Sequence, residues 1–161
     1  MDNFSFYNPA RIEFGKDKEQ LVGQILAEYG VRKVLLTYGS DRIKRDGLFA
    51  TVAKSLDKHG IACVECGGIV SNPVISKVRE AIAIAREQQV DAVLSVGGGS
   101  VLDSAKAIAA GTRYPGEVWD LFIGKGRIEA ALPVFAILTL AATGSEMNSG
   151  AVVTNEATKE K

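Results

Sequence analysis

Three consecutive glycines followed by a serine, Gly97-Gly98-Gly99-Ser100, with Asp103 three residues further on, stand between an apolar run and a patterned polar-apolar run. Glycines lack Cβ atoms, so they can take positive φ and let a ligand lie against bare backbone, and the next amides can then face an anion. Ser100 and Asp103 form S-x-x-D, resembling a capping box that opens a helix. The chemistry this pattern points to is phosphate binding at a helix N-terminus. A plain strand-to-helix turn would not need three adjacent glycines, each of which loses conformational entropy on folding.

Two further stretches carry groups that could complete such a site. Gly39 ends the run KVLLTYG and Ser40, Asp41 and Arg42 follow it, four residues that could hold a ribose or an extra phosphate. Thr139, Thr143, Gly144, Ser145 and Asn148 end or follow the run LPVFAILTL and offer hydroxyl and amide groups to a ligand. Other chemistries lack their patterns. The fingerprint G-x-G-x-x-G fails because its third glycine falls on Leu102, and neither G-x-x-x-x-G-K-[ST] nor G-x-S-x-G occurs. Cys63 and Cys66 form C-x-x-C, but no second cysteine pair exists and His59 is the only histidine. Positions three apart on a strand face opposite ways, so these cysteines are expected to be buried structural residues without redox or metal roles.

These groups need elements to hold them. Lys33–Gly39, Ile61–Gly68, Asp91–Gly99 and Leu132–Leu140 are short β-rich apolar runs that predict strands buried on both faces. Between and before them, Lys18–Tyr29, Gly47–His59, Pro73–Gln89 and Ser100–Ala110 have helical spacing. Strands alternating with helices predict a doubly wound α/β domain around a mostly parallel sheet. Arg11–Phe14 and Ala151–Thr154 are expected to extend that sheet, and Thr112–Arg127 reads as a surface loop rather than a lid.

The bulk properties agree. A chain of 161 residues with 47% hydrophobic content can bury one sizeable core, so one domain is expected. A net formal charge of zero gives no broad attraction to nucleic acid or to an anionic membrane. The longest apolar stretch, Ala130–Ala142, is too short to span a bilayer and contains Pro133, so it reads as a buried element. The N-terminal MDNFSFYNPARIEFG lacks the basic start and apolar run of a secretory signal, which predicts a cytoplasmic protein.

Taken together, VGGGSVLDSAKAIAA, LTLAATGSEMNSGAV, GGIVSNP and NFSFYNPARIEFGK resemble the amino-terminal half of the iron-containing (group III) alcohol dehydrogenases, in the branch of butanol dehydrogenases and NADPH-dependent aldehyde reductases. The resemblance implies that residues 1–161 are the Rossmann-like dinucleotide-binding domain of a longer, two-domain enzyme. It implies that Gly98, Gly99 and Ser100 hold the pyrophosphate of NADP or NAD, with Asp103 on the following turn. It places Asn72 near the adenosine, and Thr139, Thr143, Ser145 and Asn148 along the pyrophosphate and nicotinamide ribose. It assigns Lys161 a cofactor contact, and Gly39, Ser40, Asp41 and Arg42 the choice between NAD and NADP. In that segment Asp41 could repel a 2′-phosphate while Arg42 and Lys44 could attract it, a balance that favours NADP slightly.

The resemblance further implies a helical second domain carrying an Asp and three His for Fe²⁺ or Zn²⁺, a small aldehyde or primary alcohol as substrate, and a homodimer. No catalytic residue or metal ligand is expected within these 161 residues. Two other readings stand beside it: a glycerol dehydrogenase or dehydroquinate-synthase-like enzyme, and a stand-alone nucleotide-binding module.

Overall fold

The structure is a computed structural model that describes residues 7–142 and 144–161. Its centre is a sheet of four parallel strands in the order β2-β1-β3-β4, formed by β1 (Lys33–Tyr38), β2 (Ala62–Cys66), β3 (Ala92–Gly97) and β4 (Val134–Leu138). Alternation along the central strands sends successive side chains to opposite faces. Val34, Leu36 and Tyr38 of β1 with Ala92, Leu94 and Val96 of β3 pack against α1 (Val22–Glu28) and α3 (Leu48–Lys58). Leu35 and Val93 point the other way, into a core made with α4 (Ile75–Glu87) and α5 (Gly99–Arg113). The doubly wound α/β fold expected from the alternating pattern is therefore what forms.

The chain moves outward from β1 to β2 and then returns across β1 to β3. That reversal puts a topological switch point between β1 and β3, and ligands of such sheets sit beyond the carboxyl ends of the strands there. The segments at those two ends are Gly39–Ser40 and Gly97–Ser100.

Several expectations need correction. β2 is not buried on both faces: Ala62, Cys63 and Glu65 are exposed because the strand lies at the sheet edge. β4, at the opposite edge, is also only partly covered, and within Ala130–Ala142 just Leu132 is buried. Of the two cysteines, both free, Cys66 is buried, which raises its thiol above the ordinary value, while Cys63 is exposed.

Arg11–Phe14 forms no strand. Arg11 instead pairs with Glu13 and Glu28 at 2.8 Å each, tying the segment to α1, and Phe14 remains exposed. Ala151–Thr154 gives only a single parallel bridge, Val74 to Thr154, because the Val152 amide is held by Asp103 at 3.1 Å. Lys18–Tyr29 divides into a 3₁₀ turn, Lys18–Leu21, and α1. Two short helices are unforeseen in the sequence, α2 (Arg42–Arg45) after β1 and α6 (Trp119–Phe122) before β4.

The segment 112–127 is packed rather than lid-like. Arg86 donates through Nη2 to the Gly111 and Tyr114 carbonyls at 2.6 Å each, closing the end of α5. Trp119 of α6 is buried and stacks on Phe122 at 5.3 Å. Among the described residues, no helix is long and apolar enough to cross a membrane.

One buried group is unsatisfied. The Ser95 hydroxyl, in β3 between Thr37 and Ala136 of the neighbouring strands, has no hydrogen-bond partner among the described residues. Desolvating a hydroxyl without a compensating bond is unfavourable. Ser95→Ala is expected to stabilise the fold by about 1 kcal/mol, read as a raised urea midpoint at unchanged m. A lowered midpoint would show that this hydroxyl is bonded.

Candidate functional site

Two strand ends and one loop enclose a cleft of about 1060 Å³. The first end belongs to β1. The Gly39 carbonyl accepts the Gly68 amide at 2.8 Å and the Tyr38 carbonyl accepts the Ile69 amide at 3.1 Å, so the chain leaving β2 runs on beside β1. A Cβ on Gly39 would stand 3.2 Å from the Ile69 carbonyl oxygen, which explains a residue without one at this close approach. Ser40 follows, its Oγ 3.4 Å from the Arg42 amide.

The second end is the glycine cluster, and its three members have different tasks. A Cβ on Gly97 would meet the Val101 Cγ2 at 2.6 Å, so this glycine lets the first turn of α5 pack onto the strand. Gly98 is the N-cap, at φ −88° and ψ −170°, an extended conformation open to any residue. A Cβ there would meet only the Leu140 Cβ, at 3.9 Å. Nothing in the fold requires glycine at 98, and the space beside it opens into the cleft. None of the three takes positive φ, so close approach, not left-handed backbone, accounts for them.

Gly99 already begins α5, one residue earlier than the spacing indicated. The Gly98 carbonyl accepts the Val101 and Leu102 amides at 3.0 and 3.2 Å, and the amides of Gly99 and Ser100 find no partner among the described residues. No side chain caps this helix, so Ser100 and Asp103 do not form the expected capping box. The 15-residue α5 thus presents unpaired N–H groups and the positive end of its dipole to the cleft. Such an arrangement can accommodate a phosphate or another anion.

The wall opposite is the segment 144–152, and it is fastened to α5 by the residues expected to touch a ligand. Asp103 accepts the Ser145 hydroxyl at 2.6 Å through Oδ1 and the Val152 amide at 3.1 Å through Oδ2. Asn148 donates through Nδ2 to the Gly144 carbonyl and accepts the Gly150 amide through Oδ1, both at 2.9 Å. Asp103, Ser145 and Asn148 therefore line the cleft with their polar groups engaged inside the protein.

Lys106 was missed in the sequence. It is the one basic residue in the run Val101–Gly111, and three residues beyond Asp103 it shares that residue's face of the helix. Its ammonium contacts oxygens of Ser145, Asn148 and Gly150. Burial lowers its pKa from the ordinary value, while Asp103 and Glu146 act in the opposite direction.

Gly39, Ser40, Gly98, Gly99 and Ser100 line the cleft as well, so the structure brings eight of the expected site residues to one place. Asp41, Arg42, Asn72, Thr139 and Lys161 do not line it. Asp41 stands at the N-cap of α2 with Arg42 next to it, flanking Ser40. Asn72 takes φ 54°, in the left-handed region, one residue from the cleft-lining Ser71. The Thr139 amide donates to the Gly97 carbonyl at 3.0 Å, and Lys161 is exposed at the end of the chain. Thr143 lies outside the described residues.

No group of three or more His, Cys, Asp or Glu suited to a metal ion occurs among the described residues. His59 stands at the C-cap of α3, where its Nδ1 lies 2.9 Å from the Ser55 carbonyl oxygen.

Known proteins are similar to this chain in sequence and fold. The chain is 48% identical over its whole length to a probable NADH-dependent butanol dehydrogenase of Bacillus subtilis and 39% identical to an NADPH-dependent aldehyde reductase of Escherichia coli. It covers 41% of the length of each. The crystal structure of an NADH-dependent butanol dehydrogenase from Thermotoga maritima superposes with a TM-score of 0.98 at 55% identity, over all of this chain and 40% of that one. A family model for iron-containing alcohol dehydrogenases matches residues 9–161, and on that match the chain belongs to the iron-containing alcohol dehydrogenase family.

Proposed function

We propose that this chain binds a nicotinamide dinucleotide, NADP or NAD, with the diphosphate on the free amides at the start of α5, as the dinucleotide-binding domain of a longer dehydrogenase. The reaction of the whole protein is hydride transfer between that cofactor and a small aldehyde or primary alcohol. The observation that carries the reading is Gly98, a glycine that the fold does not need, set beside unpaired amides in a cleft large enough for a ligand. The names of the relatives, butanol dehydrogenase and aldehyde reductase, support the substrate class.

When bound, the dinucleotide supplies the hydride chemistry and the protein supplies its placement. Gly99 and Ser100 would donate amide N–H bonds to the diphosphate, and the absent Cβ of Gly98 would let it come within bonding distance. The segment 144–152 would close one side of the cleft, which Ile69, Val70 and Leu140 line with apolar surface. The described residues do not fit a metal site. Titration with NADH and with NADPH, followed by cofactor fluorescence, tests the reading. Saturable binding of either is expected, and binding of neither removes it.

The choice between the two cofactors falls to the residues around Ser40. Lys44 is engaged: its Nζ is 2.8 Å from Glu65 Oε2 and lies over the Phe49 ring at 4.9 Å. The positive charge available beside Ser40 is then that of Arg42, opposed by the adjacent Asp41. Two unit charges a few ångströms apart in water interact by about 1 kcal/mol. Asp41→Asn is therefore expected to raise the affinity for NADPH relative to NADH by about fivefold, measured in paired titrations. An unchanged ratio would place the 2′ position of the ribose away from Asp41.

A further inference from the structure

We propose that Lys106 is a positioning residue whose ammonium serves as the template on which the segment 144–150 folds into a wall of the cofactor cleft. This inference rests on the dinucleotide reading of that cleft. The Lys106 Nζ lies 2.6 Å from the Ser145 carbonyl oxygen, 2.7 Å from that of Gly150 and 2.9 Å from that of Asn148. It also lies 2.8 Å from the Ser145 Oγ and 3.3 Å from the Asn148 Oδ1. Five oxygens from three residues of one short loop thus converge on a single cation.

An ammonium group has three protons, so these five acceptors share three donors, and the remaining attraction is that of a point charge for oxygen dipoles. Without the cation, three carbonyl oxygens would face one another across a half-buried space with no donor to satisfy them, which is unfavourable. The loop's own bonds cannot replace this. The Met147 amide and the Asn148 Nδ2 both close back on the Gly144 carbonyl, and the Gly150 amide closes on Asn148, so these bonds shape the loop internally without fixing it to the sheet. Attachment to α5 comes through Asp103 and Lys106, and the exposed Asn8 Nδ2 adds one bond to the Met147 carbonyl at 2.9 Å. The Ser145 Oγ joins the two, donating to Asp103 and accepting from Lys106.

The position of the ammonium separates this role from ligand contact. Lys106 does not line the cleft, whereas Ser145, Asn148 and Gly150 do. Both clamp residues also stand on the helix whose first turn offers the amides to the diphosphate. One rigid element therefore sets the distance between the anion-binding amides and the facing wall. A loosened wall leaves the amides in place and widens the site, which weakens binding without unfolding the domain.

The test compares wild type with Lys106→Met, which keeps the apolar stem and removes the charge, and Lys106→Ala, which makes room for propylammonium. Two readouts are taken: amide hydrogen exchange without ligand, and titration with NADH. Exchange at Gly150 and Val152 is expected to quicken at least tenfold in both variants while the β3 amides keep their protection. NADH affinity is expected to fall at least tenfold. Propylammonium should restore both properties in Lys106→Ala and neither in Lys106→Met, where the stem occupies its place. Unchanged exchange at Gly150 and Val152 would overturn the template. Quickened exchange with wild-type affinity would overturn the positioning role, as would equal loss of protection in β3, which would mark Lys106 as general support for the fold. Failure of the wild type to bind NADH or NADPH would sink the cofactor reading and this role together, and exchange alone would still report whether Lys106 holds the loop.

Discussion

Gly98→Leu is expected to lower affinity for NADH and NADPH by more than a hundredfold while leaving the stability of the fold within about 1 kcal/mol of wild type. The backbone at 98 is extended, at φ −88° and ψ −170°, so a leucine meets no conformational penalty there. Its Cβ would touch only the Leu140 Cβ, at the ordinary van der Waals distance of 3.9 Å. The rest of the side chain must project into the cleft, in front of the Gly99 and Ser100 amides. Hydrogen bonds to a charged group contribute about 1.5–3 kcal/mol each, and blocking two of them exceeds the 2.8 kcal/mol, or about a hundredfold, at the lower end. Thermal unfolding followed by circular dichroism checks the first half of the expectation and cofactor titration the second. A stable variant that binds NADH as wild type does would mean that the diphosphate lies elsewhere.

The sequence located the glycine turn but not the separate tasks of its three glycines. Three adjacent glycines could be placed beyond a strand and before a helix, because the apolar run and the helical spacing on either side are both strong. Their separate tasks could not be read, since they depend on where Val101 and Leu140 come to rest. Gly97 gives room to Val101, Gly98 faces open space and Gly99 starts the helix. The same limit applies to Asp103, Ser145 and Asn148. Their location at the cleft followed from strand ends, but their hydrogen-bond partners came from a loop folding back over α5, in contacts between residues 42 and 49 positions apart.

Burial was legible for the central strands and not for the outer ones. β1 and β3 carry continuous apolar runs and are covered on both faces, as their composition indicated. β2 and β4 have similar runs, yet they lie at the edges. Strand order decides that, and order is a property of the crossovers, which no single run reveals.

A second glycine reverses the usual expectation from helix propensity. Gly23 lies inside α1, where alanine would ordinarily be favoured by about 1 kcal/mol. Here a Cβ would stand 2.0 Å from the Ser55 carbonyl oxygen, 2.6 Å from its carbonyl carbon and 2.8 Å from the His59 Nδ1. Two of these three atoms are backbone of α3, so no side-chain rotation relieves the overlap. The helices would have to separate, lengthening the 3.0 Å bond from the Gly23 amide to the Ser55 Oγ and opening the core between Val22, Leu26, Val52 and Leu56. Overpacking of this kind typically costs up to about 3 kcal/mol, and Gly23→Ala is expected to reach that value. For a domain of this size the melting temperature would fall by roughly 6–12 °C. Gly23 does not line the cleft, and α1 packs on the face of the sheet opposite α5, so NADH affinity measured well below the transition should stay within about twofold of wild type. The two glycine variants therefore separate folding from binding in opposite directions. A Gly23→Ala protein as stable as wild type would show that α1 and α3 do not meet backbone to backbone at this point.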